Sequence, residues 1–180
     1  QQLRAKGAEK IVLMGHSLGA PAAMGYAARG GDVQALVLLA PGHVPAGYYR
    51  NPRLKSVRDS VDKARALVAA GKGAERGRFN DINQGRQLSV TTTAADYLSY
   101  FDPTSEAEMS VTAPRIPPST PVLSVVGDAD PLFAHLRAYY VDKLPAHPHS
   151  RLLEVKATHL STPEVAYPDV VAWIKQVTAN

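Results

Sequence analysis

The feature that most constrains the fold of this chain is a strand-like run that breaks abruptly into a glycine-flanked serine. Residues 11–14 read Ile-Val-Leu-Met, and the next five residues read Gly-His-Ser-Leu-Gly. A helix-compatible stretch, residues 20–28, follows directly. A tight turn between a strand and a helix crowds side chains, and glycines on both sides of Ser17 relieve that crowding. The pattern predicts a strand, a sharp turn with Ser17 at its tip, and a helix.

Ser17 in this position has two interpretations. A Gly-x-Ser-x-Gly sequence between a strand and a helix is typical of a nucleophile elbow, in which the hydroxyl stands exposed above the sheet. The start of a helix favours negative charge on a nearby oxygen, and the N–H of Leu18 is the predicted donor to such an oxyanion. The alternative is that Ser17 only caps the helix, because serine is a favoured N-cap residue. The strand before it and the helix after it favour the elbow.

The rest of the chain alternates strand-like and helix-like segments. Further strands are predicted over residues 35–40, 121–126 and 151–155, and helices over residues 17–29, 52–70, 93–101, 131–143 and 163–177. This alternation predicts an α/β fold with a parallel sheet and right-handed crossovers. Residues 43–118 are richer in charge, glycine and proline, with a flexible loop predicted over residues 71–77 and an extended proline-rich return to the core. They are predicted to form a mainly helical insertion, with residues 1–42 and 119–180 as the core.

Composition narrows the class of protein. The chain has 180 residues, of which 45% are hydrophobic and 20% charged, as expected of a globular domain with a hydrophobic core. It contains no cysteine, which excludes disulfides, thiolate metal sites and a cysteine nucleophile. No apolar run approaches the roughly 20 residues that span a bilayer. We therefore expect no membrane span.

The positive charge of the chain is concentrated in one segment. The formal net charge is +4, and residues 51–86 carry nine Lys or Arg against four Asp or Glu. One interpretation is a solvated helical face, and the other is attraction to an anionic surface or substrate. Because aromatic residues do not alternate with the basic ones, nucleic-acid binding is not expected.

Candidate partners for Ser17 follow the later strands, whose carboxyl ends meet at one edge of a parallel sheet. His159 lies just after the fourth predicted strand and is the candidate general base, because a neutral imidazole can take a proton near neutral pH. The alternative is a histidine that happens to lie in a surface loop. An acid must orient the imidazole, and Asp128 and Asp130 after the third strand compete for that role. Asp130 is favoured, although it also suits a helix cap before Pro131.

Four further residues are candidates for a substrate pocket. His16 lies inside the turn and is predicted to pack or to orient its neighbours, whereas His43 follows the second predicted strand. Tyr48 and Tyr97 are candidates for an apolar acyl pocket. For these aromatic residues the alternative is the small core of the inserted segment. We identify no metal-ligand set and expect no metal and no cofactor.

These motifs, in this order, resemble the alpha/beta-hydrolase superfamily. Gly15-His16-Ser17-Leu18-Gly19, then Gly127-Asp128-Ala129-Asp130, then His159 follow the family's order of nucleophile, acid and histidine. The family's acid commonly ends a Gly-x-x-Asp turn after the seventh strand and its histidine follows the eighth, so the resemblance selects Asp130 and His159. It also implies that the four predicted strands are the fifth to the eighth of the family's sheet, with residues 43–118 as a cap inserted after the sixth.

The resemblance implies a serine hydrolase that cleaves a carboxylic ester, or next a thioester or amide, in a small-molecule acyl substrate. A serine at the turn argues against the dehalogenase and epoxide-hydrolase branches, which use aspartate there. The alternatives are a non-catalytic binding module, an incomplete fragment, or an enzyme that transfers the acyl group to an acceptor other than water. The sequence assigns neither compartment nor oligomeric state.

One part of the family pattern has no counterpart here. The family's first four strands are absent, and with them the loop that supplies a second oxyanion-hole N–H. The chain begins with Gln1 and a helix end, which suggests part of a longer polypeptide. Because one oxyanion donor is worth about 3 kcal/mol of transition-state stabilisation, we expect these residues alone to hydrolyse esters poorly.

Overall fold

A computed structural model of the chain describes residues 2–83 and 85–179. The strands within them are β1 Val12–Ser17, β2 Ala35–Pro41, β3 Arg76–Asn83, β4 Arg86–Thr93, β5 Val122–Gly127 and β6 Arg151–Val155. The α-helices are α1 Gln2–Ala5, α2 Gly19–Ala28, α3 Pro45–Arg50, α4 Lys55–Ala69, α5 Ala94–Phe101, α6 Met109–Thr112, α7 Leu136–Tyr139, α8 Thr162–Val165 and α9 Tyr167–Thr178. Short 3-10 turns cover Pro52–Leu54, Ala113–Arg115, Phe133–His135 and Val141–Lys143.

Four strands form a parallel sheet in the order β1-β2-β5-β6. The central strands β2 and β5 are buried along their whole length, which is why their sequences are continuously apolar. Successive side chains of a strand point to opposite faces. Leu36 and Leu38 pack with α2 on one face, and Val37 and Leu39 pack with α9 on the other. The predicted α/β fold, a parallel sheet with flanking helices, is confirmed.

The last helix is held on the sheet by the tryptophan of the chain. Trp173, on α9, is 3% exposed and belongs to the same buried cluster as Leu39 and Val125. Its indole Nε1–H donates a hydrogen bond to the carbonyl oxygen of His149, at 2.8 Å. Since His149 lies two residues before β6, this bond ties α9 to the chain that enters the last strand.

The chain divides into two compact units. Unit 1 ends at His43 and resumes at Met109, and unit 2 is Val44–Glu108. The second boundary differs from the predicted 118, because residues 109–116 do not form an extended return to the core. They form α6 and a 3-10 turn, and Met109 and Ile116 are buried in the same core cluster as α2.

Unit 2 contains α3, α4 and α5 and also a β-hairpin that the sequence does not predict. β3 and β4 pair antiparallel over their full length, and the first two residues of β3 lie in the flexible loop predicted over residues 71–77. Phe79 of β3 is 1% exposed and stacks on Tyr97 of α5, with ring centroids 4.6 Å apart. The strands carry many charged and small polar residues and bury one large side chain, so they lack clear alternation. Gly85, at φ +75°, lies in the tight connection.

Two predicted helices also differ in detail. The helix predicted over residues 131–143 is broken into a 3-10 turn, α7 and a second 3-10 turn. The break follows from Tyr140, whose backbone leaves the helical region at φ −147° while the residue stays fully buried. The helix predicted from residue 52 begins with a 3-10 turn, because the side chain of Asn51 accepts a hydrogen bond from the N–H of Arg53.

Candidate active site

Ser17 lies at the end of β1, in the sharp turn that leads into α2. Its φ is +53°, a left-handed value that residues other than glycine rarely adopt. A Cβ on Gly15 would lie 2.1 Å from the carbonyl oxygen of Gly19, so the turn closes only with glycine at position 15. A Cβ on Gly19 would meet nothing within 4 Å, which corrects the expectation that both glycines relieve crowding. The strain at Ser17 is typical of a nucleophile elbow.

The N-cap interpretation of Ser17 is wrong. The residue at the N-cap of α2 is Leu18, which has helical φ and ψ and no side-chain capping bond. The Ser17 hydroxyl instead lies 2.9 Å from Nε2 of His159. The side chain of Leu18 is 45% exposed. The role of its N–H as an oxyanion donor stays a prediction.

Three side chains from separate strand ends of unit 1 form one chain of hydrogen bonds. Ser17 Oγ lies 2.9 Å from His159 Nε2, and His159 Nδ1 lies 2.6 Å from Asp130 Oδ2. A carboxylate can only accept, so His159 Nδ1–H donates to Asp130. In the neutral imidazole Nε2 is then unprotonated, and it accepts a hydrogen bond from the Ser17 hydroxyl. This is the tautomer in which the imidazole can take a proton from the serine.

The carboxylate of Asp130 is held by a second donor. Its other oxygen, Oδ1, accepts a hydrogen bond from the N–H of Leu132 at 2.8 Å. The Asp130 side chain is 1% exposed, whereas that of His159 is 26% exposed. Burial of the carboxylate removes competing water from its bond to the imidazole and strengthens that bond. Asp130 thus has a fixed orientation, while the ring of His159 remains accessible.

Asp128, the competing acid, has a different position. Its Oδ1 accepts a hydrogen bond from the N–H of Ala157 at 3.2 Å. Ala157 belongs to the loop after β6 that carries His159. Asp128 therefore joins the two loops, and the structure brings Asp130 rather than Asp128 to the imidazole.

His16 holds the loop of His159 from the side of the turn. Its Nε2 lies 3.0 Å from the carbonyl oxygen of His159, and the two rings are tilted with centroids 5.4 Å apart. A carbonyl only accepts, so Nε2 of His16 carries the proton and donates it. The prediction that His16 packs or orients agrees with this contact.

His43 is a buried residue rather than an open surface one. It lies just after β2 and is 1% exposed. Its carbonyl oxygen accepts a hydrogen bond from the hydroxyl of Tyr139 at 3.2 Å. The same hydroxyl accepts from the N–H of Met109 at 3.3 Å. The backbone beyond β2 is therefore tied to α6 and α7.

Tyr97 lies in the aromatic core of unit 2, as the alternative to an acyl pocket predicts. It is 2% exposed and stacks between Phe79 and Phe101, with ring centroids 4.6 and 4.8 Å away. Its hydroxyl donates to the carbonyl oxygen of Asn80 at 2.6 Å. Tyr48 packs against the same cluster, and burial raises its pKa. Both residues thus contribute to the core of unit 2.

Gly42 lies against Ser17, although no sequence motif marks it as part of the site. It follows β2 directly, and a Cβ on it would lie 2.5 Å from Ser17 Oγ. In the sequence, the Pro-Gly pair after a buried strand indicates only that the strand ends. No local pattern could have shown that this glycine faces a serine 25 positions earlier in the chain.

The described part of the chain offers neither a metal cluster nor a membrane-spanning helix. Residues 2–83 and 85–179 contain no group of three or more His, Cys, Asp or Glu able to hold a metal ion. Within those residues, no helix has both the length and the hydropathy needed to cross a bilayer.

The sequence model of the Alpha/beta hydrolase family matches residues 1–172. The chain belongs to the alpha/beta hydrolase family. The hydrolase fold is shared with solved structures of low sequence identity. A protein from Agrobacterium vitis S4 is 22% identical with a TM-score of 0.56, and the match covers 96% of this chain and 64% of that one.

Two further structures of similar fold are an esterase and a lipase. A monoacylglycerol lipase from Paleococcus ferrophilus is 21% identical with a TM-score of 0.58, and the match covers 99% of this chain and 72% of the lipase. A highly thermostable carboxyl esterase from Bacillus coagulans is 15% identical with a TM-score of 0.57, over 98% and 67%. No curated protein matches the chain by sequence. The chain spans about two thirds of the length of these structures, and the likeness concerns the fold.

Proposed function

We propose that this protein is a serine hydrolase that cleaves a carboxylic ester through an acyl-enzyme on Ser17. The observation that carries the proposal is the unbroken contact series from Ser17 Oγ through His159 to Asp130, at 2.9 and 2.6 Å. The left-handed backbone of Ser17 supports the proposal, and so does the membership of the chain in the alpha/beta hydrolase family. Thioesters and amides are the next candidate substrates.

In the proposed first half-reaction, Ser17 Oγ attacks the acyl carbonyl carbon while His159 Nε2 takes the hydroxyl proton. Asp130 accepts from Nδ1–H and stabilises the imidazolium that forms. The tetrahedral oxyanion accepts a hydrogen bond from the N–H of Leu18. The ester C–O bond then breaks, and the leaving alkoxide takes the proton from Nε2.

In the second half-reaction a water molecule attacks the acyl carbonyl of the acyl-enzyme and gives a proton to His159. The bond between the acyl carbon and Ser17 Oγ breaks, and Nε2 returns the proton to that oxygen. The carboxylic acid leaves, and the serine is regenerated. The accessible ring of His159 next to the buried carboxylate suits this double proton transfer.

We also propose that residues 44–108 act as a cap that selects the substrate. Unit 2 is a compact body with its own aromatic core, built around Phe79, Tyr97 and Phe101. Because Tyr97 is buried there, selection is assigned to other residues of the segment. Its residues 51–86 carry nine Lys or Arg against four Asp or Glu, and this local excess of positive charge favours acidic or surface-bound substrates.

The test is covalent labelling with a fluorophosphonate probe, followed by hydrolysis of p-nitrophenyl esters. Labelling is expected in the wild-type chain and should vanish in Ser17→Ala. The matched control is Ser99→Ala, an exposed serine on α5 whose loss should leave labelling unchanged. A folded wild-type chain that takes up no probe would support a binding module instead. Acyl transfer to added alcohol or amine would identify a transferase.

A further inference from the structure

We propose that Gly42 is a positioning residue for Ser17, because its missing side chain leaves the space in which the hydroxyl reaches His159. This inference rests on the proposed role of Ser17 as nucleophile. Gly42 lies outside the Gly-x-Ser-x-Gly motif, directly after β2. A Cβ on Gly42 would lie 2.5 Å from Ser17 Oγ, and 3.3 Å from both Ser17 Cα and His159 Cε1. A separation of 2.5 Å is shorter than Cβ atoms tolerate.

A bulge at the end of β2 brings Gly42 to this position. The register between β1 and β2 shifts by one residue at Ser17, which leaves Ala40 as the extra residue. Ala40 is fully buried and has φ +40°, one of two left-handed residues other than glycine in the described chain. The other is Ser17 itself. Bulges bend the end of a strand and redirect the next residues, and here the redirected residue is Gly42.

The backbone of Gly42 is held on both sides. Its N–H donates to the carbonyl oxygen of Ser17 at 3.2 Å. The next residue, His43, is 1% exposed, and its carbonyl oxygen accepts from the hydroxyl of Tyr139. A Cβ added at Gly42 therefore cannot be accommodated by moving this segment outward without breaking both bonds.

The atom that can give way is Ser17 Oγ. It is the end of a short side chain with one rotatable bond, and it is the atom nearest to the added Cβ. Rotation of the hydroxyl away from Gly42 breaks its 2.9 Å contact with Nε2 of His159. The Gly42→Ala variant therefore removes the productive rotamer while every proposed catalytic side chain is still present.

The expected effect is on chemistry more than on substrate binding. A displacement of a reacting group by about 1 Å can reduce the rate about 100-fold. We expect Gly42→Ala to lower the rate of fluorophosphonate labelling and kcat for p-nitrophenyl esters about 100-fold, with KM changed by less than about 3-fold. Partial unfolding would also lower the apparent kcat at constant KM, so kcat and the labelling rate are referred to the folded fraction of each variant, measured by circular dichroism.

A double-mutant cycle isolates the contact between the added methyl group and Ser17 Oγ. The thermal midpoint is measured for wild type, Ser17→Ala, Gly42→Ala and the double variant. Gly42→Ala should lower the midpoint by several degrees in wild type and much less in the Ser17→Ala background, where Oγ is gone. Gly73→Ala is the control for adding a methyl group, since its nearest contact, 3.3 Å to Val68 Cγ2, is less severe.

The outcomes separate this inference from the proposed function. If wild type takes up no probe at Ser17, the proposed function fails. If wild type is labelled and Gly42→Ala is labelled at the same rate, only the inference about Gly42 fails. If Gly42→Ala does not fold, recovery of folding in the double variant supports the inference. An equal loss of stability in both backgrounds, or failure of both variants to fold, overturns it.

Discussion

At the scale of single residues, the orientation of His159 depends on the acceptor beneath it. Asp130 Oδ2 accepts from Nδ1–H at 2.6 Å, so in the neutral imidazole Nε2 is unprotonated and directed at Ser17. An amide at position 130 can donate to Nδ1, and the proton would then move to Nε2. The imidazole could no longer take the proton of the Ser17 hydroxyl.

We therefore predict that Asp130→Asn folds normally and loses about 10⁴-fold in kcat for ester hydrolysis, as in serine hydrolases with the same arrangement. Steady-state kinetics with a p-nitrophenyl ester would measure this loss. Asp128→Asn is the matched comparison, because its carboxylate binds the N–H of Ala157 and not the imidazole. Equal losses in the two variants would contradict the assignment of Asp130.

At the scale of secondary-structure elements, the end of β5 and the loop after β6 approach too closely for a side chain. A Cβ on Gly127 would lie 2.1 Å from the carbonyl oxygen of Ala157. That oxygen also accepts a hydrogen bond from the N–H of Ala129, at 3.1 Å. The two loops that carry Asp130 and His159 are thus joined backbone to backbone.

Gly127→Ala is predicted to lower the free energy of unfolding by about 3 kcal/mol, because backbone atoms cannot move aside as a flexible side chain can. Urea denaturation followed by circular dichroism would measure the loss. Gly73→Ala serves again as the comparison and should cost much less. A Gly127→Ala variant with the wild-type midpoint would show that the loops separate at little cost.

The hairpin of unit 2 gains its stability from the stacked rings of Phe79, Tyr97 and Phe101. Tyr97→Phe keeps the stack and removes the bond from the hydroxyl to the carbonyl oxygen of Asn80, and it should cost about 1 kcal/mol. Tyr97→Ala removes the ring as well and should cost about 3–5 kcal/mol. Comparing the urea midpoints of the two variants tests this order. If Tyr97→Ala had the same urea midpoint as Tyr97→Phe, the stacked ring would not stabilise unit 2.

The sequence predicts the elements of the site better than their fine geometry. Ser17, Asp130 and His159 each follow a strand, and the carboxyl ends of parallel strands share an edge, so their meeting can be inferred from order alone. The role of Gly42 depends on a distance between two strand ends. The hairpin is not predicted from the sequence, because Phe79 is the one fully buried residue of β3 and its charged and polar neighbours give no alternating pattern. The broken helix around Tyr140 reflects burial of one ring, which overrides local propensity.

At the scale of the whole molecule, the ion pair between Arg65 and Asp102 makes the free energy of unfolding depend on pH. Burial disfavours the charged form of Asp102, but hydrogen bonds from Arg65 and Thr104 outweigh it and lower the pKa of Asp102 to about 2. The ordinary pKa of an aspartate, which we take for the unfolded chain, is 3.8. A carboxyl group whose pKa is lowered by folding stabilises the folded state at pH values above its pKa in the unfolded chain. That stabilisation is lost as pH falls from about 4 to about 2.

We predict that the thermal midpoint of wild type falls more steeply between pH 4 and pH 2 than that of Asp102→Asn. Since Arg65 is 39% exposed, its ion pair with Asp102 contributes about 1 kcal/mol at most to the free energy of unfolding. Asp59→Asn breaks a pair with Lys55 in which both side chains are more than half exposed, and it should change the midpoint little at neutral pH. Parallel pH profiles for wild type and Asp102→Asn would contradict the prediction.

The position of Trp173 has a practical consequence. It is the single tryptophan of the sequence, and it is 3% exposed under the sheet of unit 1. Its intrinsic fluorescence therefore reports the opening of that body alone, whereas far-ultraviolet circular dichroism records the helices and strands of both. Recording the two signals in one denaturation experiment would show whether Val44–Glu108 melts together with the rest or separately, without any label being attached.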